Sequence, residues 1–270
     1  RDRFSLPVFL LCLLTALLLQ ILSNFANDLG DALKGTDDAA RTGPKRAVAS
    51  GWITVDQMRR GVMVAAGLAV ISGLALLAMA PVVRETWFLA AFAVAGLGAV
   101  AAAIGYTMGK RAFGYSGLGD LMVLLFFGVV GVVGSYVLIA GEVHAVALLA
   151  GVGIGLLASG VLHINNLRDQ EGDARHGKRT LVVRLGDRRA RVYHVVLITC
   201  GSLCLAALPL LVRAPTWWML LPALLTVPAL KQAVEVGRTP AGPALNPYLG
   251  KLSLLTAIWG ISLGLAFALS

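Results

Sequence analysis

The sequence predicts an all-α, polytopic membrane protein, and three observations carry that prediction. Of 270 residues, 58% are hydrophobic, and mean hydropathy is +0.81. A soluble globular domain is roughly 45–50% apolar. Only 14% of the residues are charged, and these collect between apolar runs. The runs reach about 20 residues, the length a helix needs to cross the hydrocarbon layer. With no water inside a bilayer the backbone must satisfy its own hydrogen bonds, which leaves helices or closed barrels. The alternating segments of about ten residues that a barrel requires are absent.

Eight spans follow in order. The first, 5–27, comes after Arg1 and Arg3 and so resembles a secretory signal. Its "LPVFLLCLLTALLL" leads to no small-residue cleavage site and runs straight into acidic residues, so it reads as a span. Span 57–80 starts behind Thr54 and Gln57, which are spaced as a capping box. Spans 86–106, 118–140 and 144–167 are joined by short connections, which make neighbouring helices antiparallel. Spans 191–212, 216–236 and 249–269 complete the set. Cys12, Cys200 and Cys204 lie within spans and have no histidine beside them. They read as small buried apolar residues rather than a metal site or disulfide. Residues 1–270 form one domain with polar loops near 35–56, 107–117 and 168–190.

The net charge of +9 is distributed unevenly. Of 23 Lys and Arg residues, 19 fall in alternate loops (24–60, 107–117, 168–191 and 231–251). This is the positive-inside pattern of a multi-pass protein of the cell membrane, expected here to be a bacterial inner membrane. It places those loops in the cytoplasm and both ends of the chain outside. The charge therefore reflects topology and an anionic ligand; nucleic acid is excluded as a partner.

Two of the cytoplasmic helix ends are acidic. "LLLQILSNFANDLGDALKGTDD" carries Asp28 and Asp31, and "SGVLHINNLRDQEGDARHGKRT" carries Asp169 and Asp173. A charge near the bilayer is costly and by default marks function. Residues three and four apart share a helix face, so Asn24, Asp28 and Asp31 form one stripe, with Asn27 a turn from Asp31. Asn166, Asp169 and Asp173 form the other. Hard oxygen ligands without His or Cys suit Mg²⁺, which shares its coordination with phosphate and water. The spacing of an EF-hand loop is absent. Lys34, Arg41, Lys45 and Arg46 follow the first motif; Arg168, Arg175, Lys178 and Arg179 surround the second. Metal-holding carboxylates beside cationic groups make a site for a multiply charged anion such as a diphosphate. "YTMGKRAFGYSGLGD" adds Tyr106, Lys110, Arg111, Tyr115 and Asp120 on the same face. "GDALKG" (30–35) and "GDARHG" (172–177) echo one another, as two related halves meeting at a shared site would.

Other charged groups read as ordinary surface. Lys45, Arg184, Arg188 and Arg191 fit solvation of helix ends, and Asp37, Asp38 and Asp187 read as solvated loop charges. His163 and His194 read as packing or interfacial residues, and His144 lies on the opposite face.

"NDLGD" followed by "NNLRDQEGD" resembles the UbiA superfamily of intramembrane aromatic prenyltransferases. The similarity extends over nearly the whole chain and includes "RTGPKRAVASGWIT" and "YTMGKRAFGYSGLGDLMVLLFFG". It implies nine helices around a central cavity open to lipid, with two aspartate motifs facing each other and two Mg²⁺ ions bridging an allylic diphosphate. Asn27, Asp28 and Asp31 match the first signature and Asp169 and Asp173 the second. Tyr106 and Lys110 or Arg111 match the aromatic and basic positions of the middle loop. The metal ligands implied are Asp28, Asp31, Asp169 and Asp173. Asn24, Asn27, Lys34, Arg46, Lys110, Arg111, Tyr115, Asn166, Arg168 and Lys178 are implied to bind substrate.

Two departures stand out. The usual third aspartate of the first motif is Gly35 here, with Asp37 and Asp38 close behind. Eight spans rather than nine imply that the family's first helix is missing from this chain.

Within the superfamily the chain looks most like the branch that joins a polyprenyl diphosphate to 1,4-dihydroxy-2-naphthoate with loss of the carboxylate, giving demethylmenaquinone. The alternatives are another acceptor, such as 4-hydroxybenzoate or homogentisate, or a cation-coupled transporter. Transport is disfavoured because the acids end helices instead of lying at mid-membrane.

Overall fold

Pro7 starts the first helix, where its missing N–H costs nothing, and Gly35 stops it. The left-handed conformation of Gly35 (φ 66°) returns its N–H to the carbonyl of Ala32. In the computed structural model, which describes residues 4–36, 43–109, 112–211 and 220–269, this helix is α1, Leu6–Lys34. At 1.5 Å per residue its 29 residues span about 43 Å, more than the roughly 30 Å hydrocarbon layer. Its last turns, with Asp28 and Asp31, therefore project beyond the apolar zone.

The remaining helices are α2 (Val55–Met79), α3 (Thr86–Gly105), α4 (Gly119–Ala140), α5 (Ala145–Arg168), α6 (Gln170–Arg175), α7 (Leu181–Leu185), α8 (Asp187–Leu211), α9 (Leu220–Leu224), α10 (Thr226–Arg238) and α11 (Asn246–Leu269). No strand occurs among the described residues. The expected capping box is present: Gln57 N–H donates to Thr54 Oγ1 (3.2 Å) and Thr54 N–H to Gln57 Oε1 (2.7 Å).

Seven helices among the described residues are long and apolar enough to cross a membrane: α1 to α5, α8 and α11. The expected span at 216–236 is divided instead. Its described part is the five-residue α9 followed by α10, which carries Lys231, Gln232, Glu235 and Arg238. Only Leu225 separates them, and neither piece by itself is among the seven. The apolar composition of the window, punctuated by Pro222 and Pro228, concealed that division.

α5 is the central post, packed on α4 on one side and on α8 and α11 on the other. Small residues bring the backbones together, the usual device where lipid removes the hydrophobic drive between helices. A Cβ on Gly155 would lie 2.9 Å from the Leu124 carbonyl of α4, and one on Gly201 of α8 would lie 3.1 Å from the Gly153 carbonyl. Opposite Gly155, residues Leu124–Gly134 of α4 are wound as π-helix, a local loosening of the backbone that often accompanies functional sites.

A buried cluster of Leu157, Ile164, Leu167, Ile198, Leu205, Leu252 and Trp259 holds α5, α8 and α11 together. A second joins Leu22 and Leu29 of α1 to Met58 and Val62 of α2. Outward-facing side chains such as Leu13, Ile71, Val94 and Leu210 are exposed and apolar, as a lipid-facing surface requires. Cys200 departs from expectation: it is exposed on α8, whereas Cys12 is buried, and all three thiols are free. The bundle surface is itself apolar, so membrane composition does not separate inside from outside at this position.

Candidate active site

The ends of α1, α3 and α5 lie at one end of the bundle, and the acidic motifs meet there. Gly30, the fourth residue of "NDLGD", permits the meeting of α1 with the loop after α3: a Cβ on it would lie 2.6 Å from Thr107 Oγ1. Thr107 uses that proximity to donate to the Ala26 carbonyl (2.9 Å) and to Asn27 Oδ1 (3.3 Å). Asp31, almost fully buried, accepts from Tyr115 Oη at 3.0 Å and faces Arg46 Nη2 at 3.7 Å. Asp28, equally buried, accepts backbone N–H groups from Ala47 (2.8 Å) and Val48 (3.3 Å).

In the second motif α5 ends at Arg168, and Asp169 (φ −95°, ψ 7°) interrupts the helix before α6. The Asp173 N–H still reaches the Asp169 carbonyl at 2.8 Å, so the expected face survives the break. Arg168 is buried and clamps its own neighbour: Nε and Nη2 donate to Asp169 at 2.8 and 2.6 Å. The same guanidinium is held by Asn165 (2.7 Å) and Asn246 (3.1 Å). Asp173 pairs with Lys178 at 3.4 Å.

The two motifs share one electrostatic field. Burial pushes the Asp173 carboxyl up to about 6, against the pull of Lys178, and Asp169 and Asp31 push the same way. Burial alone would lower Lys178, but the carboxylates of Asp173 and Asp31 outweigh it and hold the ammonium above its usual range. Tyr115 stands between two cations, with Lys34 Nζ 3.8 Å and Lys178 Nζ 5.5 Å from its ring centre. Burial and the adjacent Asp31 push its hydroxyl up to about 12. Tyr106 is held above the usual phenol range by burial, then by Asp120, Asp31 and Asp173.

Beside this cluster opens a cavity of about 1360 Å³. Its polar end is formed by Asn24, Asn27, Lys45, Arg46, Asn165 and Arg168, with Tyr106 on the wall. From there it continues between Phe127, Ala150, Ile154, Leu249 and Leu263 towards His144 at the opposite end of α5. One end is cationic and amide-rich; the rest is mostly apolar.

Most of the sequence-derived residues therefore come together. Asn24, Asn27, Arg46, Tyr106 and Arg168 line the cavity. Asp31, Asp173, Lys34, Tyr115 and Lys178 form the adjoining charged cluster. Asn166 is buried behind the wall; its neighbour Asn165 faces the space instead. Lys110 and Arg111, like Arg41, Asp37 and Asp38, lie outside the described residues. Lys45, expected to be merely solvated, sits on the cavity wall because its loop folds back over α1. Arg191 is also more than a surface charge. It pairs with Asp187 at 2.8 Å and donates to the Val236 carbonyl, tying α8 to α10. Asn165 and Asn246 had no signal beyond the doubled Asn at 165–166 and an Asn at a helix start.

The residues suit magnesium. Buried Asp173 Oδ2 and Asn166 Oδ1 have no hydrogen-bond partner among the described residues, so a cation would relieve an existing cost. No three carboxylate, imidazole or thiolate groups converge among the described residues.

Comparison with characterised proteins gives the same picture. The model of the UbiA prenyltransferase family matches residues 1–255. The chain is 42% identical to the 1,4-dihydroxy-2-naphthoate octaprenyltransferase of Haemophilus influenzae over 98% of this chain and 85% of that protein. It is 45% identical to the enzyme of that name from Escherichia coli, over 92% of this chain and 80% of the relative. The Mycobacterium tuberculosis enzyme of that name is 36% identical over 96% of this chain and 84% of its own length. The chain is a multi-pass membrane enzyme, an aromatic prenyltransferase, and belongs to the UbiA prenyltransferase family.

Proposed function

We propose that the enzyme transfers a polyprenyl group from an allylic diphosphate to 1,4-dihydroxy-2-naphthoate, releasing diphosphate and the carboxyl group as CO₂ and yielding the prenylated naphthohydroquinone, the reduced form of demethylmenaquinone, for menaquinone synthesis. The observation that carries this reading is a single cavity with a cationic, amide-rich end beside two buried aspartate motifs and a long apolar remainder. That shape suits a donor with a doubly charged head and a hydrocarbon tail. Relatives with 36–45% identity over nearly the whole chain bear names specifying this acceptor.

Lys45, Arg46 and Arg168 line the end where the diphosphate would sit, and Lys34 and Lys178 stand close by. They offset the charge that develops on the leaving oxygen as the allylic C–O bond breaks. Asp173 and Asp31, one from each motif, would hold Mg²⁺, which when bound supplies further neutralisation of the diphosphate. Tyr106 presents an aromatic ring to the cavity, suited to steadying the allylic cation until the naphthoate ring carbon attacks it. The active site faces the cytoplasm of the bacterial inner membrane, as the 19 cationic residues in alternate loops support.

The test is an assay in nanodiscs with polyprenyl diphosphate, Mg²⁺ and either 1,4-dihydroxy-2-naphthoate or 4-hydroxybenzoate. A prenylated, decarboxylated naphthohydroquinone, detected as the quinone after oxidation in air, is expected only with the first acceptor. Product from 4-hydroxybenzoate alone would overturn the acceptor, and no prenyl transfer to either would overturn the reaction.

A further inference from the structure

Asp28 and Asp31 are one turn apart on α1, yet their carboxylates face different company. Asp31 meets Tyr115 and Arg46 side chains. Asp28 meets backbone: both its oxygens are taken by consecutive N–H groups, Ala47 to Oδ2 at 2.8 Å and Val48 to Oδ1 at 3.3 Å. Those groups open a single tight turn, closed by Ser50 N–H to the Arg46 carbonyl (2.9 Å) and Trp52 N–H to the Ala47 carbonyl (3.0 Å). The first N–H groups of such a turn have no partner within it, and Asp28 supplies one from another helix. Ala47 and Val48 are packed against Leu22, Leu29 and Met58. Asp28 is only 7% exposed and does not line the cavity, whereas Asn24 and Asn27 before it do. The residues that do line it beside the turn are Pro44, Lys45 and Arg46.

We infer that Asp28 is a positioning residue: its buried carboxylate anchors the turn after Arg46, and so fixes Lys45 and Arg46 on the wall of the cavity, and it is not one of the Mg²⁺ ligands. This rests on the proposed diphosphate site. It divides the first motif by role. Asp31 faces the side chains of the charged cluster, and Asp28 serves the loop that brings two cations to the cavity. A carboxylate suits the task because it accepts two charge-assisted hydrogen bonds at once, where an amide oxygen offers one atom.

The test uses full-length Asp28→Asn, Ala47→Pro and the double variant in nanodiscs, with Asp31→Asn for comparison. Ala47→Pro removes the N–H that Asp28 holds at 2.8 Å while leaving the carboxylate intact, and proline is tolerated in a first turn. The readouts are Mn²⁺ binding by paramagnetic resonance, amide hydrogen exchange over 48–53, and the KM for polyprenyl diphosphate. Both single variants are expected to exchange about tenfold faster and to show KM raised about tenfold, losses in keeping with one charge-assisted hydrogen bond. The double variant should be no worse than either, since both break one contact. Mn²⁺ affinity should stay at the wild-type value in all three.

A tenfold drop in Mn²⁺ affinity for Asp28→Asn would overturn the assignment, and so would wild-type exchange over 48–53 in that variant. If wild-type protein itself bound no Mn²⁺, the metal reading would fail, and the exchange rates would still decide the anchor.

Discussion

Asp173 has a buried carboxyl that prefers to keep its proton up to about pH 6. A metal needs the deprotonated form, so metal and proton compete for it. The sign follows: above about pH 6 the carboxylate is ready, and below it the proton must be displaced. Half-saturation by Mg²⁺ should therefore rise about tenfold per pH unit below 6, and Asp173→Asn should abolish that slope. A flat titration between pH 5 and 7 would contradict it. His163 is the other residue with a specific expectation. Fully buried, it joins Asp120 Oδ2 (3.1 Å) to the Ala190 carbonyl (3.0 Å), which ties together α4, α5 and α8. Removing one partner of a buried hydrogen bond costs about 1–3 kcal/mol, so His163→Ala should lower unfolding stability by that order in a denaturant titration in detergent. The sequence marked His163 as a packing residue, which is true as far as it goes. Its carboxylate partner is 43 positions away and left no local pattern.

Helix periodicity made most elements readable before any coordinates. Apolar runs, Thr54 with Gln57, and Gly35 mark starts and stops through local chemistry alone. The same rule placed Asp28 and Asp31, and Asp169 and Asp173, on shared faces, because helix geometry reaches across one turn. It failed where contacts are long-range. The Asp28 anchor spans 19 positions and the Arg168–Asn246 bond 78; no window of sequence contains both partners. The division of 216–236 was hidden because composition does not reveal where a backbone breaks. Contact between helices also depends on single glycines, which a hydropathy reading ignores. Gly153→Leu would drive its side chain into Leu205 and the Gly201 carbonyl. Overpacking of this kind costs about 1–3 kcal/mol, and a lower melting temperature in nanodiscs should report it.

At the scale of the whole molecule, the bundle holds a cavity that is charged at one end and mostly apolar along the rest, a shape suited to a donor with a charged head and a hydrocarbon tail. Filling the apolar part should separate the two ends. Ala150→Trp, on the wall away from the charges, should raise KM for a long polyprenyl diphosphate. It should leave turnover of dimethylallyl diphosphate near wild type, as steady-state kinetics with both donors would report. If the aspartate motifs and nearby cations hold the donor's head with Mg²⁺ while the cavity takes its tail, donor affinity must depend on the metal. Calorimetric binding of an unreactive polyprenyl thiolodiphosphate, with and without Mg²⁺, tests it most directly. Tight binding that requires Mg²⁺ in the wild type and is lost in Asp173→Asn is expected; equal affinity without the metal, or in that variant, would contradict this arrangement.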